Sequence, residues 1–507
     1  MAPSDEKTAL VSSSSESDAS GMNNRKGQRG MPINGGAPPV YGSHLMGKGN
    51  GAETSDTAPS GVENDDLNGS MIDDKAIHMV EVEDKGNEAI KSSEFRVFLN
   101  TLRVNVGSGL LTLPFGFALG GLVAGPIMML VIGVIAVYCC FLLIGCRNKL
   151  RSDGIATFGQ IGRYCMGYFG RVVVDITLIL TQFGFATAYV IFTATNGVNI
   201  SKQLLGWSVP FWVFAFAMLP ILVAVCWVRN MKTLALISGF SNIIYLSALF
   251  IILAFDLVAI WHTRGSHVTE LPLVQWKTMP LFLGVAVYCF EGIGLVLPLE
   301  NSMARPQNFK LVFTSTMTLV YMLLVTFGMS GYIAYGHNTA GVITLNLPPS
   351  IFVYAVTIML CLSLILTYPA QMYPVFEICE NYIFYERDYN TRYNPYARYA
   401  LSSLGRALIV LLSLVLASTI PSFSVITSLI GSAGSTSLAF ILPVIFHYII
   451  FRKEMDWPLV VLHGLILIFG VGVTVLGTTF SLIQAINVFC VTLGLNSPSY
   501  GWLDKLV

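Results

Sequence analysis

Glycine, proline and a polar or ionisable residue meet twice inside apolar runs of this chain. The first meeting is Asn105-Val106-Gly107-Ser108-Gly109-Leu110, with Pro114 close behind; the second is Tyr288-Cys289-Phe290-Glu291-Gly292-Ile293-Gly294, with Pro298 close behind. Glycines lower helix propensity and proline removes a backbone donor, so each run is expected to break as a helix. Backbone freed at membrane depth survives where it lines a cavity or is buried in protein. Around Gly107, Ser108, Gly109 and Leu110 the break offers unpaired N–H groups and the positive end of a half-helix, which suit a carboxylate. The second break, at Gly292, offers free carbonyls that suit an ammonium group or a cation. Together they would hold an amino acid by its two charged ends, with Tyr288 and Phe290 walling the side-chain pocket. Glu291 lies inside the second break. Desolvation there disfavours a charged carboxyl, which would let it take and release a proton near neutral pH. The plainer readings are that the glycines let helices approach closely and that Glu291 is tied to backbone amides.

Holding two such breaks at the same depth requires a bundle of helices. The chain is 54% hydrophobic and 11% charged, a composition outside the range of soluble domains. Eleven apolar segments are long enough to cross a bilayer of about 30 Å. They lie near 95–119, 122–146, 172–199, 210–228, 234–261, 279–299, 310–335, 350–373, 400–419, 422–450 and 458–490. The expected fold is therefore an all-α polytopic membrane protein with eleven transmembrane helices. The breaks fall in helices 1 and 6, the first of each group of five. Two repeats with odd helix counts must face opposite ways, which predicts a five-plus-five inverted repeat.

Residues 1–93 carry 15 acidic and 8 basic side chains, and residues 94–507 carry 14 and 21. The first stretch is rich in Ser, Gly, Asn and Asp and is expected to be a disordered tail; residues 94–507 form the transmembrane domain. No apolar run precedes Phe95, so no signal peptide is expected and the tail should stay in the cytosol. With the tail inside, cytosolic loops hold fourteen Lys and Arg against four on the other side, the expected bias. The C-terminus is then exoplasmic.

Other ionisable groups read more plainly. Asp175, Asp256 and Arg406 fall near helix ends, as snorkelling or capping residues do. Glu300 is placed at the cytosolic surface, solvated or paired with Arg305. Arg103, one turn before the first break, has snorkelling as its plain role. His447 and His463 read as core or interface residues. The nine cysteines show no paired metal spacing, no disulfide framework is implied, and no P-loop, metalloprotease His pair or nucleophile elbow is present. No enzyme activity, metal or cofactor is expected.

From about residue 95 to 490 the chain resembles the amino acid/auxin permeases, most closely the proton-coupled amino acid transporters. The resemblance rests on Asn105–Pro114, on Phe290-Glu291-Gly292-Ile293-Gly294 through Pro298-Leu299-Glu300-Asn301, and on Leu429–Gly434 with Leu438–Pro443. Animal proton-coupled members place a histidine where this chain has Asn100, so a proton role for that histidine does not transfer. Sodium-coupled relatives have a neutral amide at Arg103, paired with a threonine that matches Thr367. A guanidinium there would repel sodium, so the resemblance implies protons, with Glu291, Arg103 and Thr367 as the ion-coupling set. The expected function is secondary active transport of small or medium neutral amino acids, coupled to protons. The alternative is an amino-acid sensor that signals through its tail to a cytosolic partner. The membrane is lysosomal or vacuolar, or the plasma membrane.

Overall fold

The computed structural model describes residues 93–155, 157–229, 231–263, 270–384 and 395–492. The expected tail, all but its last residue, and the expected exoplasmic C-terminus lie outside them. Every regular element among the described residues is helical. In chain order they are α1 (Glu94–Asn105), α2 (Leu113–Gly120), α3 (Ala124–Lys149), α4 (Phe158–Ile200), α5 (Phe211–Ala217), α6 (Leu219–Cys226), α7 (Met231–Thr263), α8 (Met279–Cys289), α9 (Ile293–Ser302), α10 (Phe309–Tyr335), α11 (Ile351–Phe384), α12 (Pro395–Thr419), α13 (Phe423–Ile430), α14 (Leu442–Phe451) and α15 (Trp457–Thr492).

Nine helices among the described residues are long and apolar enough to cross a membrane. Two shorter apolar stretches, Ser108–Gly120 and Phe211–Cys226, fall where the first and fourth expected spans lie. Both are shortened for a reason visible in sequence. The first is cut by the Gly107 break, and the other is divided at Met218, just before Pro220.

Local chemistry sets several boundaries. Ser93 caps α1 by accepting from the Arg96 N–H. Thr157 and Gln160 form a reciprocal capping box at the start of α4. Early prolines open α2, α6, α8 and α14, where the lost N–H has no helical partner anyway. α4 kinks at Met166–Gly167, where Gly167 has φ 65°, a conformation that favours glycine. Between α13 and α14 the chain makes two π-helical turns, Gly431–Ser435 and Ser437–Ile441.

α7 shows how one helix is divided between lipid and protein. Leu236, Ile243, Phe250, Leu257 and Trp261 form an exposed apolar stripe, while Ser238, Ser241, Tyr245, Ile252 and Asp256 are buried. Exposed apolar area on this scale suits a bilayer rather than water. The buried face of α7 packs on α10 and α11, and α11 packs on α4. Near the chain's centre, α8 lies against α2, α13 and α15.

Candidate functional site: two facing helix breaks

α1 ends at Asn105, and the Val106 N–H closes it onto the Leu102 carbonyl at 2.9 Å. Gly107 is extended, and a 3₁₀ turn over Ser108–Thr112 leads into α2. The Leu110 N–H is used within this turn, donating to the Gly107 carbonyl. Among the described residues, the backbone N–H groups of Ser108 and Gly109 meet no backbone acceptor. The Gly107 carbonyl also accepts from the Tyr245 hydroxyl of α7 at 2.8 Å.

The second break mirrors this with acceptors. α8 stops at Cys289, the Phe290 N–H returns to the Val287 carbonyl at 3.1 Å, and α9 starts at Ile293. No backbone donor among the described residues reaches the carbonyls of Cys289, Phe290 and Glu291. The two breaks touch. The hydroxyls of Ser108 and Tyr288 are 2.8 Å apart. A methyl group built on Gly109 would sit 2.7 Å from the Cys289 sulfur, and one on Gly292 would sit 3.0 Å from the Asn105 side-chain oxygen.

Around this contact lies a small cavity of about 80 Å³, lined by Gly107, Ser108, Gly109, Leu110, Tyr288, Glu291 and Gly292 among others. A larger cavity of about 490 Å³ adjoins it and shares Val104, Gly107, Ser108, Tyr189, Leu295 and Gln371 with it. The larger one reaches Asn100 of α1 and Ser302 of α9, so it extends toward the side on which α1 begins. Toward the opposite side the helices close over the breaks. There Phe117 packs on Phe282, Phe192 on Phe423, and Thr344 donates to Asn196 at 2.6 Å.

Of the sequence-predicted binding residues, Phe290 is placed apart from the rest. Its ring lies against Gly133 of α3, where an added methyl would approach within 3.0 Å, and it is absent from the cavity wall. Tyr288 does stand on that wall, its ring tilted by 31° against that of Phe185 at 4.2 Å between centroids. Thr367 lies on the larger cavity, donating to the Ser363 carbonyl at 2.9 Å and sharing a 2.8 Å contact with the Ser241 hydroxyl. The Arg103 side chain lies outside the described residues. The three expected ion-coupling residues are therefore not seen together: Glu291 is on one cavity and Thr367 on the other.

Glu291 is not tied to backbone amides. Both of its carboxylate oxygens are buried without a hydrogen-bond partner, and so is the Ser435 hydroxyl that interacts with it from the π turns. Two plainer expectations change. Glu300 is buried and pairs with Arg147, which also donates to Asn301, rather than with Arg305. Asp256 is fully buried and does not snorkel.

Sequence reasoning missed Gln182, Phe185 and Tyr189 of α4 and Gln371 of α11, all on the small cavity. The two glutamines hydrogen-bond to one another across it. Their signal was present: an amide inside a long apolar span is costly unless partnered, as intramembrane polar groups generally are.

A helical membrane bundle with two facing breaks, amide donors on one and carbonyl acceptors on the other, is built as a carrier of small solutes. Residues 91–486 match the family model described as transmembrane amino acid transporter protein, and the chain belongs to that family. It is 32% identical over 421 residues to the amino acid transporter AVT3C of Arabidopsis thaliana, covering 78% of this chain and 92% of that one. It is 28% identical over 406 residues to the Arabidopsis thaliana amino acid transporter ANT1, covering 76% and 93%. In backbone it is similar to a substrate-bound, outward-open Na⁺-coupled sialic acid symporter at a TM-score of 0.44 and 12% identity, over 77% of this chain and 97% of that one. The family and these relatives are transporters, not enzymes.

Proposed function

We propose that this chain is a proton-coupled secondary transporter of small or medium neutral amino acids. Its architecture is read as a five-plus-five inverted repeat with a cytosolic N-terminus, set in a lysosomal or vacuolar membrane or in the plasma membrane. One observation carries the reading: unpaired N–H groups of Ser108 and Gly109 stand beside unclaimed carbonyls of Cys289, Phe290 and Glu291, in breaks joined by the Ser108–Tyr288 contact. Donors suit a carboxylate and acceptors suit an ammonium, the two charged groups that every amino acid carries. Among the described residues, the cavity wall offers Glu291 as its ionisable carboxylate and no Lys, Arg or Asp to balance a charged substrate side chain. The neutral preference follows from that.

Glu291 is assigned the proton. A carboxylate buried without a partner is costly when charged, so arrival of a substrate ammonium and ionisation of Glu291 influence one another electrostatically. The test is uptake into proteoliposomes holding purified protein. An acid-outside pH gradient should concentrate alanine, leucine or proline inside, and arginine and glutamate should be poorer substrates. Glu291→Gln should still exchange internal for external amino acid but lose uphill uptake. Wild-type uptake that ignores pH and follows sodium would sink proton coupling; a Gln variant that still concentrates substrate would sink the role of this residue. A protein that binds amino acids yet moves none would be a sensor.

A further inference from the structure

We infer that Asp256 is a second proton-binding site, and that its neutral form holds the closed half of the molecule together by joining α7 to α10. The inference rests on the proton-coupled reading above and adds a residue that the substrate site does not contain.

Position comes first. α7 passes the larger cavity at Leu234 and Ser238, and touches the first break through the Tyr245 hydroxyl. Asp256 is eleven residues further along the same helix, about 16 Å beyond that contact. It therefore lies in the half where the helices are shut, on the far side of the breaks from Asn100 and Ser302.

Its surroundings come second. Asp256 is fully buried. Its Oδ2 accepts from the Ser330 hydroxyl of α10 at 3.4 Å, and its Oδ1 has no hydrogen-bond partner. Ser330 is a weak tether, since the same hydroxyl also lies 2.8 Å from the Phe327 carbonyl. From α10 the titratable group that faces Asp256 is Tyr335, whose buried hydroxyl interacts with the carboxylate without reaching it in good hydrogen-bond geometry. α11 contributes the Phe352 ring, packed on Phe255 beside it. Among the described residues no Lys, Arg or His pairs with the carboxylate.

A charged carboxylate in such a place has lost water and gained one long hydrogen bond. The same group carrying a proton becomes a donor, and the neighbouring Tyr335 hydroxyl can accept from it. Closing α7 on α10 therefore favours the neutral form, and by reciprocity proton loss favours separating them. A second carboxylate set apart from the substrate makes closure of that half sense the pH of its own compartment.

The experiment measures amino acid exchange in oriented proteoliposomes while pH is varied on the side away from the N-terminal tail. Wild-type exchange should slow as that pH rises, by about tenfold per unit above the midpoint if one group is responsible. Glu291→Gln should keep this dependence, and Asp256→Asn, a permanently neutral mimic, should exchange at a rate flat in pH. An Asp256→Asn variant that keeps the wild-type slope overturns the inference while leaving gradient-driven uptake by the wild type intact. Loss of gradient-driven uptake in the wild type itself would instead count against the proton reading. If Asp256→Asn does not fold, Tyr335→Phe removes the titratable neighbour that interacts with Asp256 and should shift the midpoint; an unmoved midpoint overturns the inference equally.

Discussion

Gly107 and Gly109 are two residues apart and do different work. A methyl at Gly107 meets nothing within 4 Å and would project into open cavity space, while one at Gly109 runs into Cys289 and Tyr288 across the interface of the breaks. The Gly107 backbone, at φ −110° and ψ −166°, is a conformation that valine adopts readily. Gly107→Val should therefore fold normally and weaken amino acid binding by roughly tenfold or more, equivalent to about 1.4 kcal/mol. Gly109→Val should also destabilise the fold, by about 1–3 kcal/mol for overpacking. Binding by calorimetry beside thermal melting in detergent separates the two. Equal melting temperatures for both variants would contradict the division. Sequence alone assigned both glycines to the ligand, because spacing records that a helix breaks but not which way each missing side chain would have pointed.

Among the elements, the join between α3 and α9 carries the clearest energetic consequence. Arg147, in the last turn of α3, donates to both Glu300 and Asn301 at the end of α9, and the two charged residues are 4% and 6% exposed. Removing one member strands the other charge in a place without water, at a cost of about 3–5 kcal/mol. Arg147→Met should lower the melting temperature sharply, and the pair Arg147→Met with Glu300→Gln should recover most of the loss. Failure of the double variant to recover would show that Asn301 or the packing carries the join. The helices themselves were legible from apolar length, and both interruptions from their glycines and prolines. This pairing was not, because Arg147 and Glu300 are 153 residues apart and each reads by itself as an interfacial charge. The same limit hid Gln182 and Gln371, which acquire meaning only when α4 and α11 are laid side by side.

In the whole molecule, the family match covers residues 91–486 and leaves out the acidic stretch before it, which we propose is dispensable for transport itself. Deleting residues 1–90 should leave the apparent substrate affinity of the purified protein unchanged within about twofold, a few tenths of a kcal/mol; a large loss would make that stretch part of the machinery. The two π turns between α13 and α14 have a different kind of consequence. A π turn fits one more residue into a loop of helix than an α turn does, and each residue is worth about 100° of rotation. Losing a single residue from 431–441 would leave a continuous helix but swing α14 around its own axis. Phe446 would leave Phe158, and His447 would leave His463. In the lineage of such a chain this is the point where an insertion could enter a buried helix without breaking it. An alignment of relatives has physical grounds to admit a one-residue gap there, and two chains that differ by that gap would present different faces of the same helix to α3 and α15.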